Sequence, residues 1–281
     1  MKVLRLLIVV FMILTQVVYP QDQQSKFQVD YSEINGRLTG KDQVKKDFGR
    51  YKGFEIELYA GEDVNFLVYS TEFQPSLALV NPQGEITNQS SGEGKGYANI
   101  LTTIPSSGNW ILYVISPHNA TGKYLLRNSI AEPNSLTLPD NSDFCTTLDF
   151  ILSHAKAYFV LMENSINTNQ RIIKLNGAVD QFFDENDGSY NALFYNGDKI
   201  EEADAAFSKL GADIQNCIGK NWNIKSTGWT KIDDFKEKSL TLTEKGADKP
   251  RFITIAAYDF QGSKRRLTNR FNVEVQINKK Q

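Results

Sequence analysis

Histidine and cysteine are scarce in this chain of 281 residues, which carries two of each. Protein zinc sites draw three or four ligands from short, regular spacings, and the sequence has neither a CxxC nor a His pair at i, i+4. His118 falls in a turn-forming run at 117–122. His154 falls beside the apolar stripe of a helix, where it reads as a boundary histidine or as the partner of Tyr158 one turn on. No GxSxG, HExxH or phosphate-cradling glycine loop occurs, so no motif marks a nucleophile, a metallohydrolase or a nucleotide site, and none calls for a cofactor. Glycosidases that work through a carboxylate pair carry no universal local motif and stay open. A charge excess is missing too. Lys and Arg total 31 against 33 Asp and Glu, a net charge of -2, so nucleic acid is not the expected partner.

Long apolar runs are also few. Residues 6–14 form one, preceded by Lys2 and Arg5, and it falls short of the roughly 20 residues a membrane span requires. A basic start before such a run reads as a secretory signal over residues 1–21. Residues 17–21 (VVYPQ) lack the small-x-small cleavage pattern, which leaves an uncleaved anchor as the alternative. Loss of Lys2 and Arg5 takes the net charge from -2 to about -4. No cysteine follows the run to carry a lipid there. The expectation is a secreted, periplasmic or envelope-associated chain with no membrane span after signal removal.

What is present is an ordinary globular composition, 41% hydrophobic and 23% charged, which is enough for a buried core. The length suits one or two domains. Residues 54–84, FEIELYAGEDVNFLVYSTEFQPSLALVNPQG, alternate apolar and polar, turn at 60–63, alternate again and turn at 81–84. That pattern predicts short antiparallel strands with one face on a core and one in water. Further candidates lie at 36–38, 97–103, 110–116 and 124–127, separated by Gly-, Pro- and Ser-rich turns. Many short strands at close spacing indicate a sandwich or barrel.

Several of these residues fall in a familiar order: Gly36-x-Leu38, Phe54-x-Ile56, Ala60-Gly61-Glu62-x-Val64 and Phe73-x-Pro75-x-Leu77-x-Leu79, then Asn81-Pro82-x-Gly84, Gly108-x-Trp110, Val114 and Gly122-x-Tyr124-x-Leu126. The segment resembles a bacterial pre-peptidase C-terminal domain, a small β-sandwich appended to secreted bacterial proteins. Trp110 stands where that family usually carries tyrosine or a similar aromatic. The resemblance implies an accessory β-sandwich at 27–131 and assigns no catalytic residue, because core and turn positions define the family. The same positions have a physical reading: Gly61 and Gly84 suit turns that need positive φ, and Phe73 and Trp110 are large payloads for half-buried strands.

Residues 132–142, EPNSLTLPDNS, have the polar, proline-containing composition of a linker. Beyond them the period changes. Leu148, Ile151, Leu152, Ala155 and Phe159 recur at helical spacing, capped by Ser142 or Asp143, in a helix expected to run to about residue 164. A second helix is predicted at about 200–218, with Asp198 as its cap, Glu201 completing a capping box, and Gly219 as its stop. Strands are predicted at 171–175, 179–183, 190–195, 239–243, 252–258 and 271–277. Residues 143–281 thus read as an α+β domain with two helices on an antiparallel sheet. Cys145 opens the first helix and Cys217 closes the second. Antiparallel packing of the two, in an oxidising compartment, predicts a disulfide between them, the alternative being two unpaired buried thiols on the helix stripes.

Three places invite a ligand. Trp222 and Trp229 flank the polar run 223–228, placing them either to stack on a sugar or to anchor a loop. Lys264, Arg265 and Arg266 form a basic hairpin tip, with an anionic polymer as the ligand they would suit. The acidic turn 184–188 fails the EF-hand test, with Ser189 and Tyr195 where glycine and glutamate are needed, and reads as a solvated turn or a looser oxygen site. The expected function is that of an exported bacterial, non-catalytic binding or envelope-associated protein with a polysaccharide or protein ligand. The alternative is a secreted hydrolase with its active site in residues 143–281.

Overall fold

The computed structural model describes residues 25–46, 48–92, 94, 96–157, 159, 161, 173–184, 188–264 and 269–278. The expected signal at 1–21, Tyr158, Arg265, Arg266 and residues 185–187 of the acidic turn lie outside them. The described chain is mostly antiparallel β-sheet with two helices. Two sheets come first. One is ordered β1 (Val29–Leu38), β9 (Gly122–Ala131), β4 (Asp63–Tyr69), β7 (Tyr97–Thr103). The other is ordered β2 (Gln43–Lys45), β3 (Gly49–Leu58), β8 (Gly108–Ser116), β5 (Ser76–Val80), β6 (Ile86–Ser91). Alternate residues of both sheets meet in one buried cluster that includes Val64, Phe66 and Val68 with Leu77, Leu79, Trp110, Leu112 and Val114. That is a β-sandwich. Gly61 and Gly84 take φ of 87° and 86° at the expected turns, and Trp110 is buried with its indole N–H donating to the Ser106 carbonyl at 3.1 Å. The strands β2 and β6 were not anticipated, because each is short or polar and pairs along one side only.

The third sheet has six strands in the order β10 (Asp180–Asp184), β11 (Ser189–Gly197), β15 (Phe271–Ile277), β14 (Phe252–Asp259), β13 (Phe235–Glu244), β12 (Trp222–Ile232). Helix α2 (Ile200–Ile218) packs on β11, β14 and β15, and helix α1 (Phe144–Ala155) lies beside it. Leu148, Ile151, Leu210 and Ile214 join Leu240, Leu242, Ile253, Ile255, Val273 and Val275 in a second buried cluster. A disulfide joins Cys145 to Cys217, with Cα atoms 5.1 Å apart, at the start of α1 and the end of α2.

Four local expectations are corrected. Residues 173–175 are not strand: the Leu175 N–H donates to the Tyr190 hydroxyl, which donates to the Ile173 carbonyl, so a buried side chain replaces a ladder. The run 223–228 is not a loop but the body of β12, paired in register with β13 from Asn223↔Thr243 to Thr227↔Ser239. Asp198 does not cap α2. Lys199 holds that position, and the Asp198 carboxylate instead accepts the Arg270 N–H at 2.9 Å. Helix α1 stops at Ala155, where the N–H groups of Ala157 and Phe159 both donate to the His154 carbonyl and Phe159 takes φ 59°. Its start is as expected, with the Asp143 carboxylate accepting the Thr146 N–H at 2.7 Å.

Phe27, the first residue of the expected sandwich, packs in the second cluster rather than the first. It is 5% exposed and meets Phe150 edge-to-face at 4.8 Å. Residues 132–142 are turn and coil, yet Ser135 is buried, its hydroxyl accepting the Gln28 N–H and its carbonyl bonded to His154 Nε2.

Candidate functional site

A groove of about 370 Å³ opens on the outer face of the five-stranded sheet, lined by Lys41, Asp42 and Gln43 before and on β2, by Tyr51, Lys52, Gly53 and Glu55 on β3, and by Ile111 and Tyr113 on β8. Strand alternation builds it. On β3 the residues Phe54, Ile56 and Leu58 point to the sandwich core, which turns Tyr51, Gly53 and Glu55 outward. On β8 the core takes Trp110, Leu112 and Val114, which turns Ile111 and Tyr113 to the same outer face. The register then sets Gly53 opposite Tyr113 and Glu55 opposite Ile111.

Gly53 is what shapes the floor. A β-carbon there would sit 2.8 Å from Cε1 of Tyr113, inside contact distance, so the absence of a side chain lets that ring lie over the β3 backbone. Tyr51 stands at 89° to Tyr113 with ring centroids 5.2 Å apart, and Phe48 meets Tyr51 and Tyr113 at 5.3 and 5.8 Å, both near perpendicular. The result is one ring as floor and another as wall. The wall is held from behind, because the Tyr51 hydroxyl donates to Gln43 Oε1 on the paired strand. Asp42 is tied as well, its carboxylate accepting from the Thr39 hydroxyl and main chain. The Glu55 carboxylate, the Lys41 ammonium and the Tyr113 hydroxyl make no hydrogen bond among the described residues. The charged side chains on this face are Lys41, Asp42 and Glu55, because Lys52 pairs with core-facing Val114 and belongs to the opposite face of the sheet.

The described residues among those singled out from sequence, Trp222, Trp229 and Lys264, sit in separate surroundings. Trp222 is 8% exposed in the second core with the Arg251 guanidinium 5.6 Å from its ring. Trp229 is partly buried against Phe271 at 6.5 Å and the Lys238 ammonium at 5.6 Å. The main-chain N–H of Lys264 donates to Asp234 Oδ2 at 3.1 Å. Among the described residues no group of three His, Cys, Asp or Glu is placed to hold a metal, and no helix is long and apolar enough to cross a membrane. Sequence reading missed the groove residues. The usable signal was a Tyr-x-Gly on the solvent face of one strand beside a tyrosine on the solvent face of the next.

No family model matches the chain. No curated protein matches it either. Among solved structures it is similar to the pre-peptidase C-terminal domain of a collagenase from Bacillus anthracis, at 15% identity and a TM-score of 0.28, over 34% of this chain and 87% of that one. It is also similar to PliG, a periplasmic inhibitor of g-type lysozyme from Aeromonas hydrophila, at 16% identity and a TM-score of 0.27, over 36% of this chain and 85% of that one. A third similarity is to the lipase BlEst2 of Bacillus licheniformis in its propeptide form, at 14% identity and a TM-score of 0.23, over 89% of this chain and 43% of that one.

A second polar cluster lies on the six-stranded sheet, on the face turned away from the helices. Gln276 Nε2 donates to the Tyr258 hydroxyl at 3.4 Å and to Glu274 at 3.5 Å. Burial raises the Tyr258 phenol pKa, and the neighbouring Glu274 and Glu237 carboxylates push it further the same way. The phenol is therefore held protonated, as a donor.

Proposed function

We propose that this protein is an exported, non-catalytic binding module whose ligand is a component of the cell envelope or its surroundings, taken up in the groove of Tyr51, Gly53 and Tyr113. The observation that carries the reading is that groove: an aromatic floor and wall, bared by one glycine, within a polar rim. Binding sites combine apolar surface with a few placed polar groups, and this volume lies at the small end of their usual range of roughly 300–1,000 Å³. Export is supported by the basic-then-apolar start of the sequence and by the Cys145–Cys217 disulfide, a bond kept in oxidising compartments. Cosedimentation with purified, insoluble envelope tests the reading. The wild-type chain should pellet with the envelope and Tyr113→Ala should stay in solution; equal pelleting of the two removes the groove from consideration.

The alternative, a hydrolase centred in residues 143–281, has its support in the cluster of Tyr258, Glu274 and Gln276. Turnover of a panel of glycan and ester substrates that is abolished by Glu274→Gln would establish it in place of the binding module.

A further inference from the structure

Taking the groove as the binding site, we infer that its ligand is an uncharged polysaccharide, with a sugar ring stacked on Tyr113 against the wall of Tyr51. Three features converge on that chemistry. The first is the floor. Gly53 leaves the Tyr113 ring lying over the strand, with Tyr51 at 89° to it. The electron-rich face of such a ring attracts the polarised C–H groups that line one side of a pyranose. The second is the charge of the rim, where Lys41 stands with Asp42 and Glu55 and neither sign is in large excess. A site for a polyanion or a polycation would carry an excess of the opposite sign. Here acceptor and donor groups stand together, the Glu55 carboxylate and the Tyr113 hydroxyl with the Lys41 ammonium, which matches hydroxyls that both give and take hydrogen bonds.

The third feature is position. The groove lies on the face of the sheet and not at its edge. The adjacent edge strand β2 is three residues long and carries Lys45, so an extended peptide finds little backbone to pair with there. A polysaccharide needs no edge. Its chain crosses an open sheet face and takes its affinity from stacking and hydroxyl contacts.

The experiment is affinity electrophoresis of the exported protein, backed by calorimetry. The probes are laminarin, hydroxyethylcellulose and a mannan as uncharged glycans, alginate as an anionic one, and gelatin as a protein. Wild type is compared with Tyr113→Ala and with Gly53→Ala, and a thermal melt confirms that each variant is folded. Gly53→Ala keeps every groove side chain and displaces the Tyr113 ring, so it reports on the floor without removing it. The inference expects at least one uncharged glycan to bind, a tenfold or greater loss of affinity in both variants, and less than a twofold change between 50 and 500 mM NaCl. Salt-sensitive binding of alginate, or binding of gelatin, that depends on Tyr113 while no uncharged glycan binds would overturn the ligand class and leave the groove as the binding site. If no probe depends on Tyr113 and the variant still pellets with envelope, both readings fall.

Discussion

His154 shows how one residue reports on the whole seam between the sandwich and the second core. It is fully buried, its ring 4.6 Å from that of Phe150, with Nε2 bonded to the Ser135 carbonyl and Nδ1 without a hydrogen-bond partner among the described residues. Burial pushes its pKa down from 6.5 to about 4, against the weaker upward pull of the Ser135 carbonyl. The folded state thus holds a neutral imidazole where the unfolded chain holds a cation. Between pH 6.5 and about 4 the unfolded state binds more protons, so His154 makes stability fall as pH falls through that window, by up to about 3 kcal/mol. Urea midpoints at pH 7.5, 5.5 and 4.5 should drop for wild type and stay flatter for His154→Gln. Glu62, whose pKa is raised mainly by burial, opposes the trend just above pH 4.5, but it is common to both proteins and cancels in the comparison. Parallel pH profiles would show that the imidazole is not held neutral by the fold. The sequence placed His154 beside a helical stripe and stopped there. What surrounds it includes the Ser135 carbonyl and the Phe150 ring, and no helical period carries information about a segment that returns from outside the helix. The Asp143 cap was legible for the opposite reason, because donor and acceptor lie three residues apart.

At the scale of elements, pairing between cysteines was legible where strand identity was not. Both cysteines lie on helix ends whose periodicity is strong, and the expected export gave a reason for them to pair, so Cys145–Cys217 followed from two helices packed side by side. Strand β12 was obscured because ten of its eleven residues are at least partly exposed, so it shows no apolar alternation. What makes it a strand is its ladder to β13, a property of the partner. The same logic hid the groove, since Tyr51, Gly53 and Tyr113 are separated in sequence by about half of the sandwich and meet through the β3–β8 register. The disulfide encloses a separation of 72 residues, for which the chain-entropy estimate is about 4 kcal/mol. Reduction, or Cys145→Ala with Cys217→Ala, should lower the unfolding midpoint of the second core by that order. It should leave the groove's ligand affinity unchanged, because the bridge clamps α1 to α2 and touches neither β3 nor β8. An unchanged midpoint would mean the helices hold each other without the bridge.

For the molecule as a whole, residues 27–131 and 143–281 are proposed as two units about the segment 132–142, and the buried clusters show how they are tied. Most of each cluster comes from one side of that segment, but Phe27 crosses over. Around it the Lys26 N–H donates to Asp149, the Ser25 hydroxyl meets that of Ser153 at 2.7 Å, and the Glu132 N–H donates to the Gln28 carbonyl. A third small cluster packs Val29 and Ala131 of the sandwich against Ala157 and Leu161. Further along β1, Glu33 accepts from Tyr31, Arg127 and, across the seam, Lys249. Burial works to raise the Glu33 pKa, but those three partners prevail and hold it below the usual carboxylate value. The stretch before β1 therefore acts as a staple whose covalent attachment is to one unit and whose packing is in the other. A protease site inserted between Asp140 and Asn141, both exposed, makes the consequence measurable. After cleavage the two fragments should migrate as one species on a native gel. Phe27→Ala, which leaves a cavity at a cost of about 3–5 kcal/mol, should let them separate. Fragments that part without the substitution would show that the seam adds nothing beyond the covalent chain. Fragments that hold together with it would place the tie in the Val29–Leu161 and Glu33–Lys249 contacts instead.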